Sequence, residues 1–148
     1  MTRLKIGSEQ HKEIFCREFL DTHLVYDVTT LDWPRLDAAS TARLRALPFW
    51  DEAVSTERAA AAKMHAQAVL ETDPLLHEAI ALQGREEARH SHLLGAMLAA
   101  YGISTDSTPP QAGLAGVSAG GPAQIEWAFL RTEYGECFDS FNSFLPPR

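Results

Sequence analysis

Asp73-Pro74 is the break that most limits how this chain can fold. An aspartate before proline is a strong helix start. The carboxylate can accept from free amides of the first turn, and proline loses nothing at the first helical position. One helical run, from about Pro48 to Glu71, ends just before it, and a second, Pro74 to Tyr101, begins there. Gly102 stops the second run. With so short a connection, the two long helices must fold back antiparallel.

Both helices carry an acid where an apolar residue belongs. In the first, steps of three and four give an inward stripe of Trp50, Val54, Glu57, Ala61, Met64 and Ala68. In the second the stripe is Ile80, Gly84, Glu87, Ser91, Leu94 and Leu98, flanked by His90, Met97 and Tyr101. Glu87 and His90 are three residues apart, about 60° around the helix axis, and so share one face. Desolvating a lone carboxylate is costly, and a metal cation would satisfy carboxylate and imidazole together. Glu-x-x-His is common in helices, and its ordinary form is a solvated glutamate beside a core-edge histidine. For Glu57 the competing role is an ion pair with Arg58 or Arg89. Placement in two facing stripes is what points to a metal.

The other titratable residues nearby fit less well. Glu86 is turned about 100° from Glu87, toward solvent or a flank, and His92 is turned about 200° from His90, outward. His65, two turns past Glu57 and about 80° round, misses the same site. His77 reads as structural, and His11 and His23 as surface or boundary residues.

Ser8 caps an expected helix over 8–22 whose apolar side is Ile14, Phe15, Phe19 and Leu20. Residues 23–47 form a wrapping segment. Val25–Leu31 is expected to be extended, Asp32-Trp33-Pro34 breaks any helix, and a short helix near 38–46 buries Leu44 and Leu47. Residues 102–121, with Pro109-Pro110 and several glycines, form a flexible loop. It is long enough to run back along a bundle, which sets the last helix, 122–144, parallel to the 74–101 helix or across it. That helix has a wide apolar arc, with Phe129, Leu130, Cys137, Phe141 and Phe144 on one side and Trp127, Tyr134 and Phe138 beyond. Such breadth suggests burial on more than one side or a dimer contact. Glu133 lies near the middle of the arc and Glu136 at its edge, so periodicity slightly favours Glu133. The expected architecture is a single all-α domain over residues 1–148, an antiparallel helical bundle with an N-terminal helix and a wrapping segment.

At a net charge of −7 the chain has no basic stripe for phosphates, which argues against nucleic acid. No apolar run reaches the length of a membrane span, and the N-terminus lacks a secretory apolar core. Cys16 and Cys137 form no C-x-x-C pattern and fit reduced thiols in a cytoplasmic protein. No phosphate loop, nucleophile elbow or nucleotide fingerprint is present, so the sequence does not name a substrate.

Four strings then share one resemblance. Ser8-Glu9-Gln10-His11-Lys12-Glu13, Leu47-Pro48-Phe49-Trp50-Asp51-Glu52-Ala53, Leu82-Gln83-Gly84-Arg85-Glu86-Glu87-Ala88-Arg89-His90 and Tyr134-Gly135-Glu136-Cys137-Phe138-Asp139-Ser140-Phe141 resemble bacterial ferritin-like-domain proteins of the di-iron carboxylate type. The similarity runs over nearly the whole chain, and Glu-Glu-Ala-Arg-His is its most specific part. The resemblance implies a ferritin-like bundle in which Glu57 is the first helix's ligand, Glu87 the bridging carboxylate and His90 the imidazole. It implies Glu136 as the next helix's ligand, against the periodicity preference for Glu133, which becomes second choice or a supporting partner. The chain departs from that pattern in having no second Glu-x-x-His, and so looks like the N-terminal portion of a longer family member. A full site uses four glutamates and two histidines.

Two expectations follow. The first is an iron protein, di-iron or mononuclear (Mn and Zn also suit the ligands), acting as an O2-dependent oxidase, oxygenase or ferroxidase on O2 and a small-molecule substrate. Its site would be completed by a homodimer joining two half-sets across a two-fold axis. Tyr134, Tyr101 and Trp50 are electron-relay positions in that scheme, though aromatic residues in a bundle are more often core. The second is a non-catalytic helical assembly or scaffold domain with a degenerate metal site.

Overall fold

The computed structural model describes residues 4–105 and 121–143, with side chains to residue 133 in the last helix. Every regular element among the described residues is helical: α1 (Glu9–Thr22), a 3-10 turn (Val28–Thr30), α2 (Ala38–Arg45), α3 (Trp50–Leu70), α4 (Pro74–Ala100) and α5 (Pro122–Ser143). The flexible loop expected over 102–121 lies outside the described residues from 106 to 120. No helix among the described residues is long and apolar enough to cross a membrane.

The α3–α4 hairpin is the centre of the molecule, and its turn is built as the sequence predicts. Asp73 Oδ1 accepts from the amides of Leu75 and Leu76 at 2.9 and 3.1 Å, and Glu71 Oε1 accepts from those of Thr72 and Asp73 at 2.8 and 2.9 Å. Four backbone donors that the chain reversal would leave open are thereby satisfied. Met64, Ala68 and Ile80 form the core between the helices, with Leu76, Ala81 and Phe129 against it. Gly84 sets how close the helices come, since a Cβ there would lie 3.1 Å from Met64 Cβ and 3.4 Å from the His65 amide nitrogen. Pro48 stays outside α3, which begins at Trp50 after an N-cap, Phe49, that makes no side-chain cap bond. The Trp50 indole donates instead to Leu44 O at 2.9 Å and ties α2 to α3.

α1 docks on α4 with only part of the face its apolar residues suggest. Cys16 is its buried residue, while Ile14 and Phe15 are 52% and 69% exposed. Phe19 and Leu20 turn inward as expected, beside Cys16, and Lys12 Nζ, on the same side, lies 2.5 Å from Asp73 Oδ2. Leu47, expected to be buried, is exposed, whereas Leu44 is half-buried. The stretch expected to be extended, Val25–Leu31, contains the 3-10 turn, because Asp27 Oδ1 accepts from the Thr29 amide and hydroxyl at 2.8 and 2.7 Å. Tyr26 holds this segment to α4 by stacking under Arg89, whose guanidinium carbon is 4.2 Å from the ring centre.

α5 packs on α3 and runs parallel to α4. Phe129 meets the Met64–Ala68–Ile80 core, then Lys63 Nζ donates to Thr132 Oγ1 at 3.1 Å and Gln83 Nε2 to Glu133 Oε1 at 2.7 Å. Going up α5, the partners descend α3 and ascend α4. Trp127 and Leu130, on the outer part of its arc, are 64% and 50% exposed.

Candidate metal centre

Antiparallel pairing sets Glu57 of α3 opposite Glu87 and His90 of α4. His90 Nδ1 is 3.4 Å from Glu57 Oε2 and 3.4 Å from Glu87 Oε2. Ligand atoms of all three residues lie within 4.8 Å of one another. Two ligands about 2.1 Å from one ion are at most about 4.2 Å apart, so small side-chain rotations would close the group on a cation. Glu57, Glu87 and His90, named from the sequence, therefore form a group that could hold a metal ion.

Burial across the group is graded. Glu87 is 8% exposed, while the side chains of Glu57 and His90 are 29% and 45% exposed. One wall is thus sealed in the hairpin and the other is open. Two carboxylates and a neutral imidazole carry two negative charges, a match for a divalent cation. Oxygen and imidazole donors suit Fe, Mn or Zn and disfavour Cu(I).

The competing ion pair for Glu57 does not form, because both arginines are engaged elsewhere. Arg58 Nε donates to Oγ of the buried Ser91 at 3.2 Å. Arg89 pairs with Glu86, in contact with it, so Glu86 lies on the flank as its angle requires. Among the described residues, the His90 ring is what meets the Glu57 carboxylate, at 3.4 Å.

The histidines outside the group stay outside it. His92 and His65 are exposed, and His77 Nδ1 sits 2.7 Å from Ala68 O, a link across the hairpin. Trp50 and Tyr101 are also committed to structure: the indole to Leu44 O, and the Tyr101 hydroxyl to Pro34 O at 2.8 Å.

Glu133 faces the hairpin, as its periodicity indicates, but through Gln83 it is held one turn along α4 from Glu87 and is not part of the three-residue group. The side chains of Glu136 and Tyr134 lie outside the described residues. Two supporting contacts were not foreseen from the sequence. The polar Ser91 in an apolar stripe, four residues after Glu87, was the available signal for the Arg58–Ser91 bond. Gln83 on the same side of α4, one turn before Glu87, was the signal for the bond to Glu133. Comparison with protein-family models, curated proteins and solved structures finds no match.

Proposed function

We propose that this chain is a ferritin-like metal protein that holds iron on Glu57, Glu87 and His90 and serves O2-dependent oxidation, either of Fe(II) or of a small organic substrate. The observation that carries this is the meeting of two carboxylates and an imidazole from facing helices, with ligand atoms within 4.8 Å and one carboxylate buried. Iron bound there would supply electron transfer to O2. The chain's own residues fix the ligands: Glu87 from the hairpin interior, Glu57 and His90 from its open edge.

Three ligands leave coordination positions to fill, and two sources fit. On α5, Glu136 stands one turn beyond Glu133. Because α5 runs parallel to α4, the register that pairs position 133 with position 83 brings position 136 to the level of Glu86 and Glu87. A second copy, related by a two-fold axis at the open edge, would add another Glu57–Glu87–His90 set, since such an axis repeats the same patch on both subunits. We favour a homodimer with the site shared across it.

A non-catalytic assembly domain is the second reading. It draws on the fact that Glu57, Glu87 and His90 already pair with one another, and on the exposed Trp127 and Leu130. Metal analysis after purification from iron-supplied cells separates the two. The metal function predicts bound iron that is lost in Glu87→Ala. Less than about one iron per ten chains, unchanged by that substitution, would overturn it.

A further inference from the structure

We propose that the cleft between α4 and the 3-10 turn binds a small organic oxoanion, held by the guanidinium groups of Arg85 and Arg89. The cleft measures about 450 Å³, and its charged walls are Arg85 and Arg89 from α4 and Asp27 from the turn. Arg89 is short of acceptors. Its side chain is 17% exposed, and a guanidinium carries five N–H donors. Glu86 accepts from Nη2, the Tyr26 ring covers one face of the plane, and Nε is buried with no acceptor. No other acceptor meets this group among the described residues. Buried donors left open are costly, and a bound ion or water is their usual complement. The stack on Tyr26, which also lines the cleft, fixes the guanidinium at the cleft wall.

Arg85 is exposed and has no hydrogen-bond or ion-pair partner among the described residues. It stands four residues before Arg89, on the same face of α4, where like charges repel. An anion shared by the two would turn that repulsion into attraction, and guanidinium forks grip carboxylate and phosphate oxygens in pairs. Asp27 does not cancel the site. Its Oδ1 accepts from the Thr29 amide and hydroxyl at 2.8 and 2.7 Å, and the lining keeps two guanidinium groups against one carboxylate. The chain as a whole carries a net charge of −7, so this positive excess is local. The volume is more than an oxoanion alone needs, and Tyr26, Val28 and Ala88 offer apolar wall for an organic remainder.

The cleft is separate from the metal group. Arg85 and Arg89 lie two residues before and after Glu87, each about 160° round α4 from it. Anion binding there goes beyond the metal function and does not rest on it.

Calorimetric titration of phenyl phosphate, benzoate and neutral phenol into the full chain tests this. The expected result is one anion per chain with a dissociation constant below about 1 mM, and no saturable binding of phenol. Arg85→Ala should weaken the anion about tenfold, the loss expected on removing one charged donor group. Arg85 is exposed, so this variant keeps the fold, which circular dichroism checks. Arg85→Lys keeps the charge without the fork and should recover part of the loss. Arg43→Ala, exposed and outside the cleft, should leave the affinity as it is. Tighter phenyl phosphate assigns the site to phosphate esters, and tighter benzoate assigns it to carboxylic acids. The proposal is overturned by no saturable binding of either anion, by phenol binding as tightly as the anions, by full affinity in Arg85→Ala, or by equal losses in Arg85→Ala and Arg43→Ala.

Discussion

Glu87→Leu should make the metal-free protein more stable while abolishing its response to metal. Glu87 falls with Gly84, Ser91 and Leu94 in the apolar stripe of α4, and its side chain is 11% exposed. Two carboxylates with ligand atoms within 4.8 Å repel by about 3.5 kcal/mol at an effective dielectric constant of about 20. Solvent reaches Glu57, whose side chain is 29% exposed, and His90 lies between the pair, so we discount this to about 1 kcal/mol. Leucine of similar length adds about 1.5–3 kcal/mol of apolar burial. Against these stand the contacts of Glu87 that would be lost, that with His90 among them, costing about 1 kcal/mol together, and imperfect fit of the new side chain, costing about 1 kcal/mol. The balance is a gain on the order of 1–2 kcal/mol, or several degrees in Tm. Wild type should gain about 2.7 kcal/mol from a metal at a hundred times its dissociation constant, and the variant nothing. Urea unfolding followed by circular dichroism, with and without Mn(II) as a redox-quiet probe, measures all four values. The order of stability should invert when the metal is added. A metal-free variant weaker than wild type by more than about 1 kcal/mol would refute the reasoning, because Glu87 would then be a structural ion-pair partner.

Three further outcomes test the scaffold around the site. Gly84→Ala gains about 1 kcal/mol of helix propensity but places its Cβ 3.1 Å from Met64 Cβ; crowding costing about 1–3 kcal/mol should win, and urea unfolding should show net destabilisation. Lys12 holds the Asp73 carboxyl below the usual range, so the stability it contributes is present above about pH 4 and lost as pH falls through the depressed folded value. Asp73→Asn keeps a competent N-cap, removes the ion pair and should flatten that acid limb, as read by hydrogen exchange in α1 against pH. Tyr26→Ala removes the ring under Arg89; it should cost about 0.5–2 kcal/mol and speed proteolytic cleavage within 23–31.

How much of this was legible in the sequence depends on how local its causes are. Asp73-Pro74 and Gly102 announce their own boundaries, so both ends of α4 were readable. The meeting of Glu57 with Glu87 and His90 was readable because one short turn fixes the register of two long stripes. The face on which α1 docks was readable only in part: Phe19 and Leu20 turn inward as expected, Ile14 and Phe15 do not, and the Lys12–Asp73 pair beside them joins residues far apart in the chain. Val25–Leu31 read as extended, yet an aspartate bonding two residues ahead was enough to curl its middle. Glu133 shows a finer limit: periodicity turned it toward the hairpin correctly, but only Gln83 determines that it stops one turn short of the cluster.

The hairpin positions the three ligands from both sides along its length. Below them, at Gly84, the helices touch so closely that a methyl group would crowd Met64. Above them, Arg58, the residue next to Glu57, reaches across to Ser91, the residue next to His90. A slip of one helical turn moves a side chain about 5.4 Å, more than the 4.8 Å that spans the ligand atoms. The register that these two contacts hold is therefore the register the cluster requires. The flanking contacts would serve an all-leucine hairpin equally well. Between them an acid faces another acid and an imidazole across a locked interface, a group that could hold a cation.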